Sequence, residues 1–217
     1  MNQPSFRAEL LTRRTYNRPK EDGTFETWEE TVDRVIEHQR WLWERAQNKP
    51  LENDQVTELL DLRRLILNRK VSLSGRTLWL GGTETAKKYE ASQFNCAFLN
   101  IETVTDVVDA YWLLLQGCGV GFKPVSGTLS GFSKVHTINH EEVDEPLDKG
   151  EEHNREWSST RYKTHWITIG DSAQAWAKSI GKILAYKGSA EYLRIDYSQI
   201  RKAGQRLKGY GWVSQGH

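Results

Sequence analysis

The sequence predicts an α/β protein, with an N-terminal helical region followed by alternating strands and helices. Two patterns carry that expectation. Over the first 70 residues, apolar side chains recur three and four positions apart, the spacing of one helix face. After Lys70, short apolar runs bounded by glycine alternate with longer helix-like patterns, the order that builds a sheet covered by helices.

Residues 1–26 are mostly polar, with Pro4, Pro19 and Gly23 as breakers, and read as an arm. Thr27 and Glu30 have capping-box spacing: the hydroxyl accepts from a free backbone N–H while the carboxylate reaches back. Val32, Val35, Ile36, Gln39, Leu42 and Trp43 continue that helix, and Pro50 separates it from a second. In the second, Val56, Leu59, Leu60, Leu62, Ile66 and Leu67 form a broad apolar face. Residues 1–70 are therefore expected to be an arm and a helical region, with the sheet part spanning 71–217.

Val71-Ser-Leu73-Ser alternates like a strand start, and glycines flank the run Arg76 to Leu80. Asn95 to Ile101 reads as a strand and Thr105 to Gln116 as a strongly apolar helix, with Gly117 at its C-cap. Gly119 to Phe122 returns to strand character. Residues 139–164 are the most polar stretch and read as a surface insertion or mobile loop. His165 to Ile169 alternates as a strand, Asp171 is positioned to cap a helix that Gly188 ends, and Tyr192 to Tyr197 reads as a further strand. The tail from Arg201 is rich in glycine and basic residues. A closed barrel needs more strands than these.

Composition narrows the function. The 217 residues carry 30 Lys+Arg against 29 Asp+Glu, a net charge of +1, which argues against direct nucleic-acid binding or an anionic membrane surface as partner. Met1 to Leu11 is polar, and no stretch approaches the roughly 18 apolar residues of a membrane span. Two cysteines, Cys96 and Cys118, make no disulfide framework. A soluble, cytoplasmic protein is expected. Nine tryptophans and eight tyrosines are many for this length; core packing is the first explanation and a partner surface the second.

The chemical inventory is thin. There is no Walker A sequence, no H-E-x-x-H and no Cys/His metal spacing, so no metal site is expected. Gly117-Cys-Gly-Val-Gly121 offers close backbone approach to a ligand, yet a tight helix-to-strand turn explains it equally well. Cys96 lies in an apolar strand, where a lone cysteine is more often inert filler than a reactive thiol.

Three segments in order change that balance. Gly75-Arg-Thr-Leu-Trp-Leu-Gly-Gly-Thr83, then Gln93-Phe-Asn-Cys-Ala-Phe98, then Gln116-Gly-Cys-Gly-Val-Gly-Phe122 resemble the large chains of ribonucleotide reductases. Thr15-Tyr-Asn-Arg18, the Trp28-Glu29 helix start, Asp171-Ser-Ala-Gln-Ala-Trp176 and Asp196-Tyr-Ser-Gln-Ile-Arg-Lys-Ala-Gly204 make the resemblance nearest to the adenosylcobalamin-dependent type, in its N-terminal portion.

That resemblance implies the first part of a ten-stranded α/β barrel and reduction of ribonucleotides to deoxyribonucleotides. In the family a cysteine thiyl radical abstracts the ribose 3′ hydrogen, and two further cysteines supply the electrons and become a disulfide. By resemblance Cys96 is the first of that reducing pair, and Thr77, Asn95 and Gly119 are substrate contacts. The resemblance also implies adenosylcobalamin as cofactor, a dNTP effector, and a dithiol reductant such as thioredoxin. Residues 102–109 and the loop beyond Phe122 are candidates for the effector site, without individual residues assigned.

The departures are informative. The family needs a second reducing cysteine and a radical cysteine in an N-x-C-x-E segment, and neither this motif nor enough cysteines occur here. Cys118, 22 residues after Cys96 in the glycine turn, is a poor partner and fits structural filler. Trp212 and Gln215 replace the small residues expected in the family's glycine-rich loop. The expectation is a reductase part completed by another reductase chain or a spliced segment, inactive alone. The alternatives are an inactive nucleotide-binding or interaction protein derived from the same fold, and a shortened form of a longer chain.

Overall fold

The computed structural model describes residues 4–134, 136–141, 147–207, 209–210 and 213–216. They form two compact units, one of residues 1–94 with 209–211 and one of 95–208 with 212–217.

The first unit is helical. α2 (Trp28–Gln47) begins on the anticipated capping box, with Thr27 Oγ1 accepting from the Glu30 N–H at 3.2 Å and Glu30 accepting from the Thr27 N–H at 2.7 Å. It packs on α3 (Asn53–Leu67), and Val32, Ile36, Leu59 and Ile66 meet in a buried core flanked by Trp28, Trp43 and Leu73. Leu60, assigned from its spacing to the apolar face, is instead exposed.

Two expectations for this unit are corrected. The polar arm contains a helix, α1 (Phe6–Thr15), capped by Ser5; it buries only Thr12, so it shows no apolar stripe to read. Residues 71–74 form no strand. Ser74 instead caps α4 (Gly75–Leu80) by accepting from the Thr77 N–H at 3.1 Å, and local capping outweighs the short alternation. A short helix, α5 (Glu84–Lys88), and a 3-10 turn (Glu90–Gln93) complete the unit.

The turn after α4 needs its glycines. Gly82 has φ +79°, and a Cβ there would lie 2.6 Å from the Arg34 carbonyl oxygen. This close approach brings the α4 end against Arg34, whose guanidinium makes a two-pronged contact with Glu26 at 2.7 and 2.9 Å. Arg34 also donates to the carbonyls of Leu78, at 3.1 Å, and of Gly81. Burial alone would raise the Glu26 pKa. The Arg34 fork, the Arg18 N–H and the Thr31 hydroxyl outweigh burial and hold it below the ordinary value.

The second unit is α/β. β1 (Cys96–Ile101), α6 (Val104–Leu115) and β2 (Gly119–Pro124) form a parallel strand–helix–strand unit with Cys96 opposite Gly119 and Ile101 opposite Pro124. α6 ends as expected: Gly117 has φ +86°, its N–H donates to Leu114, and the Cys118 N–H donates to Leu113, the paired bonds of a Schellman cap. A four-stranded sheet runs in the order β3 (Thr137–His140), β6 (Tyr192–Asp196), β5 (Thr164–Thr168), β4 (Arg155–Ser159). Only β4 is antiparallel to its neighbour. Ile167, Ile169, Ile195 and Ile200 form its core against Trp176 and Ile183 of α7 (Ala173–Leu184). α7 packs on α6, and a Cβ at Gly181 would lie 2.8 Å from Val108 Cγ2, so the glycine permits close helix contact.

The polar stretch 139–164 is not simply a loop: it ends β3 and supplies β4, an edge strand whose outward side chains are free to be polar. Its residues 142–146 lie outside the described residues. Ser172, not Asp171, caps α7, because the Asp171 carboxylate is taken by Arg201 Nε at 2.9 Å. The helix ends at Leu184, before Gly188. The observed helices and parallel or mixed sheets otherwise agree with the α/β class.

Candidate functional site

Three of the candidate residues, Asn95, Cys96 and Gly119, lie together at the start of the β1–β2 pair. Asn95 precedes β1, and its carbonyl accepts from the Gly119 N–H at 2.8 Å, which joins the two strand starts. Because paired residues of parallel strands share a face, Cys96 and Gly119 lie side by side, followed by Phe98 beside Gly121 and Asn100 beside Lys123. This face is exposed, with Cys96 open to solvent and Phe98 66% accessible. Ala97, Leu99 and Ile101 alternate with it as the covered set.

The two glycines behave differently. A Cβ on Gly121 would lie 3.1 Å from the Phe98 ring, so that ring rests on bare backbone. A Cβ on Gly119 would meet only the Asn95 carbonyl, at 3.6 Å, an ordinary contact. Among the described residues no neighbour requires glycine at 119, and its φ is not left-handed. Its absent side chain leaves open surface beside the Cys96 thiol. Gly119→Ala is therefore expected to keep or slightly raise the melting temperature, since alanine costs less chain entropy. A fall of more than about 1 kcal/mol in stability would show that the glycine serves the fold.

Cys118 is 4% accessible and, like Cys96, is in no disulfide, in keeping with structural filler. Thr77 lies in the other compact unit, half-buried on α4, its Oγ1 2.9 Å from Ser74 Oγ. The structure thus gathers Asn95, Cys96 and Gly119, while Thr77 belongs to a separate cluster.

The two candidate effector segments do meet. The Ser130 N–H donates to the Glu102 carbonyl at 2.8 Å, so the loop after β2 lies along the start of α6. Asp106 closes a capping box with Thr103; the N–H groups of Glu102 and Thr103 and the Thr103 hydroxyl lower its pKa. Much of the polar capacity of 102–106 is therefore used internally. Trp212 lies outside the described residues.

One polar cluster escaped sequence reasoning. His165 has Ser158 Oγ 2.7 Å from Nδ1 and Glu156 Oε2 3.1 Å from Nε2, and Glu156 is also paired with Lys182. Burial lowers the His165 pKa. Only the β4–β5 register, with Ser158 opposite His165, creates this group, and a serine two residues after a glutamate gives no warning of it. Among the described residues, no set of three His, Cys, Asp or Glu side chains could hold a metal ion, and no helix is long and apolar enough to cross a membrane.

Comparison with known proteins places these features in context. Residues 3–83 match the ribonucleotide reductase alpha domain. The chain is 30% identical, over 96% of its length, to a candidate adenosylcobalamin-dependent ribonucleoside-triphosphate reductase of Mycobacterium phage D29. It is 26% identical, over 94% of its length, to the adenosylcobalamin-dependent ribonucleoside-triphosphate reductase of Lactobacillus gasseri. It covers 30% and 33% of those two proteins. Its fold matches the crystal structure of a B12-dependent (class II) ribonucleotide reductase with a TM-score of 0.70 at 23% identity, covering 95% of this chain and 34% of that one. The chain thus spans about a third of the length of these relatives.

Proposed function

We propose that this chain, a relative of the adenosylcobalamin-dependent ribonucleotide reductases, supplies one reducing cysteine and part of the nucleotide-binding surface of such an enzyme. The observation that carries the reading is the exposed Cys96 at the start of a parallel strand, beside a glycine that no neighbour among the described residues requires. A rigid strand holds the thiol in place while the bare backbone admits a sugar.

The chemistry assigned to Cys96 is the two-electron half of the reaction. Its thiol and a second thiol together give two electrons and two protons, the ribose C2′–OH becomes C2′–H with loss of water, and the sulfurs end as a disulfide. Asn95 and the Gly119 backbone are the proposed substrate contacts beside it; the Thr77 hydroxyl, in the helical unit, is proposed as a substrate contact on the sequence resemblance alone. A dNTP effector is assigned to the region where Ser130 meets Glu102.

Adenosylcobalamin would supply the initiating radical. The described residues do not by themselves build its seat: the Cys96 face is open and belongs, among them, to a two-stranded sheet. The radical cysteine and the second reducing thiol come from residues outside this sequence, on the same or another polypeptide, because two cysteines and no N-x-C-x-E motif are present. Thioredoxin or a similar dithiol would then re-reduce the disulfide.

The test begins with the coding DNA around this chain, searched for an N-x-C-x-E barrel segment in another frame or behind an intein. The chain and that segment, combined with adenosylcobalamin, a dithiol and ribonucleoside triphosphates, are expected to form deoxyribonucleotides when neither does alone. Absence of the segment, or no product from the assembled pair, would favour the inactive nucleotide-binding alternative.

A further inference from the structure

The helical unit contains a cleft of about 800 Å³ that the redox reading does not use. It is lined by α1, the turn before α2, the first residues of α2 and the end of α3, with Arg13, Phe25, Trp28, Arg69 and Lys70 among its walls. The volume falls within the range of pockets for small organic ligands.

Two features of that wall point to an anionic, ring-bearing ligand. Arg13, Arg69 and Lys70 are three cations on one cleft, and among the described residues none of them is ion-paired. Two aromatic rings stand with them: the Arg69 guanidinium lies 4.4 Å from the Trp28 ring centroid and that of Arg13 5.8 Å from the Phe25 centroid. Phe25 keeps 39% of its surface exposed, so a ring face is available. Glu9 and Glu26 also line the cleft, but Glu26 is committed to the Arg34 fork.

The backbone supplies a second, independent observation. α3 ends in a Schellman cap in which the Arg69 N–H donates to Ile66 and the Lys70 N–H to Leu65, at 2.8 and 2.9 Å. The residue in the left-handed position of that cap is Arg69 itself, with φ +56°. Glycine is the usual occupant there, because a side chain is strained in that conformation. Strain of this kind is typically retained where the side chain has a task. Here the strained turn presents Arg69 to Trp28 and to Thr12 Oγ1, 3.3 Å away, on the cleft wall.

We infer that this cleft is a binding site for a nucleoside triphosphate, with Arg13, Arg69 and Lys70 receiving the phosphates and Phe25 offering a face to the base. Arginine suits the role through its flat, multiply donating guanidinium, which pairs with phosphate and stacks on rings. The inference stands on the helical unit alone and does not depend on the assignment of Cys96.

The test is calorimetric titration of the full chain with ATP, tripolyphosphate and adenosine, on wild type, Arg69→Gly and Arg13→Gln. Glycine suits the φ of residue 69, so Arg69→Gly is expected to keep the melting temperature within about 3 °C of wild type. The same variant should weaken ATP binding at least about tenfold, as loss of a charged phosphate contact does. Arg13→Gln, on an exposed helix face, should weaken it by about threefold to tenfold. Tripolyphosphate should bind more weakly than ATP, and adenosine more weakly still. Unchanged ATP affinity in both variants would overturn the site even if ATP bound elsewhere on the chain. A large loss of melting temperature in Arg69→Gly with Arg13→Gln binding normally would make Arg69 a structural residue and also overturn it. Equal affinity for tripolyphosphate and ATP would overturn the nucleoside part.

Discussion

Cys96→Ser is expected to abolish multiple turnover in the assembled reductase, by about three orders of magnitude or more, or about 4 kcal/mol or more in activation free energy. A serine hydroxyl cannot form a disulfide, so the two-electron delivery assigned to this position has no route. The loss should be chemical rather than structural. Cys96 is exposed, and its backbone pairing with Gly119 does not involve the sulfur. Melting temperature and effector binding should therefore match wild type, and a serine variant that sustained repeated turnover with a dithiol reductant would refute the assignment. Gly119→Ala complements this experiment: if the open surface beside the thiol receives substrate, the alanine variant should be as stable as wild type and raise KM.

Arg34→Met is expected to cost about 3–5 kcal/mol of stability, because it strands a buried carboxylate that has lost its counter-charge. The Arg34 and Glu26 side chains are only 14% and 13% exposed, so solvent cannot replace the lost fork. The same substitution removes the donors to Leu78 and Gly81, which hold the end of α4. Glu26→Gln combined with Arg34→Met should recover part of the loss, because the stranded charge is gone.

The pH dependence has a definite sign. In wild type the Glu26 pKa lies below its ordinary value of 4.5, so its stabilising contribution is present above that value and is lost as pH falls through the lowered one. In Arg34→Met, burial dominates and the pKa should rise above 4.5, so protonation relieves the variant while it harms wild type. The stability gap measured by denaturant unfolding should be widest near neutral pH and narrow below about pH 5. A gap independent of pH would show that lost packing, not the stranded charge, sets the cost.

What could be read from the sequence was mostly local. The Thr27–Glu30 capping box, the Gly117 cap of α6 and the strand around Cys96 each depend on residues within a few positions of one another, so their chemistry is visible in a short window. The ordered segments around Thr77, Cys96 and Gly119 also sufficed to point to a resemblance to the reductases, and the match of residues 3–83 to the alpha domain and the 30% identity to the phage D29 protein agree with it. α1 was hidden because a helix that buries only Thr12 has no apolar stripe. β4 was hidden because an edge strand can be polar on its free side and borrows its pairing from β5.

The remaining features depend on residues far apart in the chain. Arg34 reaches carbonyls 44 and 47 positions away, and the cleft between α1 and the end of α3 brings Arg13 together with Arg69. The Ser158–His165–Glu156 cluster exists only because one strand register sets Ser158 opposite His165; a shift of one residue would turn it to the other face. By itself the sequence determined the α/β class and pointed to the resemblance to the reductases and to Cys96 as a candidate, because caps, turns and motif order are short-range properties. Only the tertiary structure decided that Cys96 is exposed beside open backbone, which charges are paired away from solvent and which line a cleft with no ion pair among the described residues, because burial and register are set by the packing of distant segments.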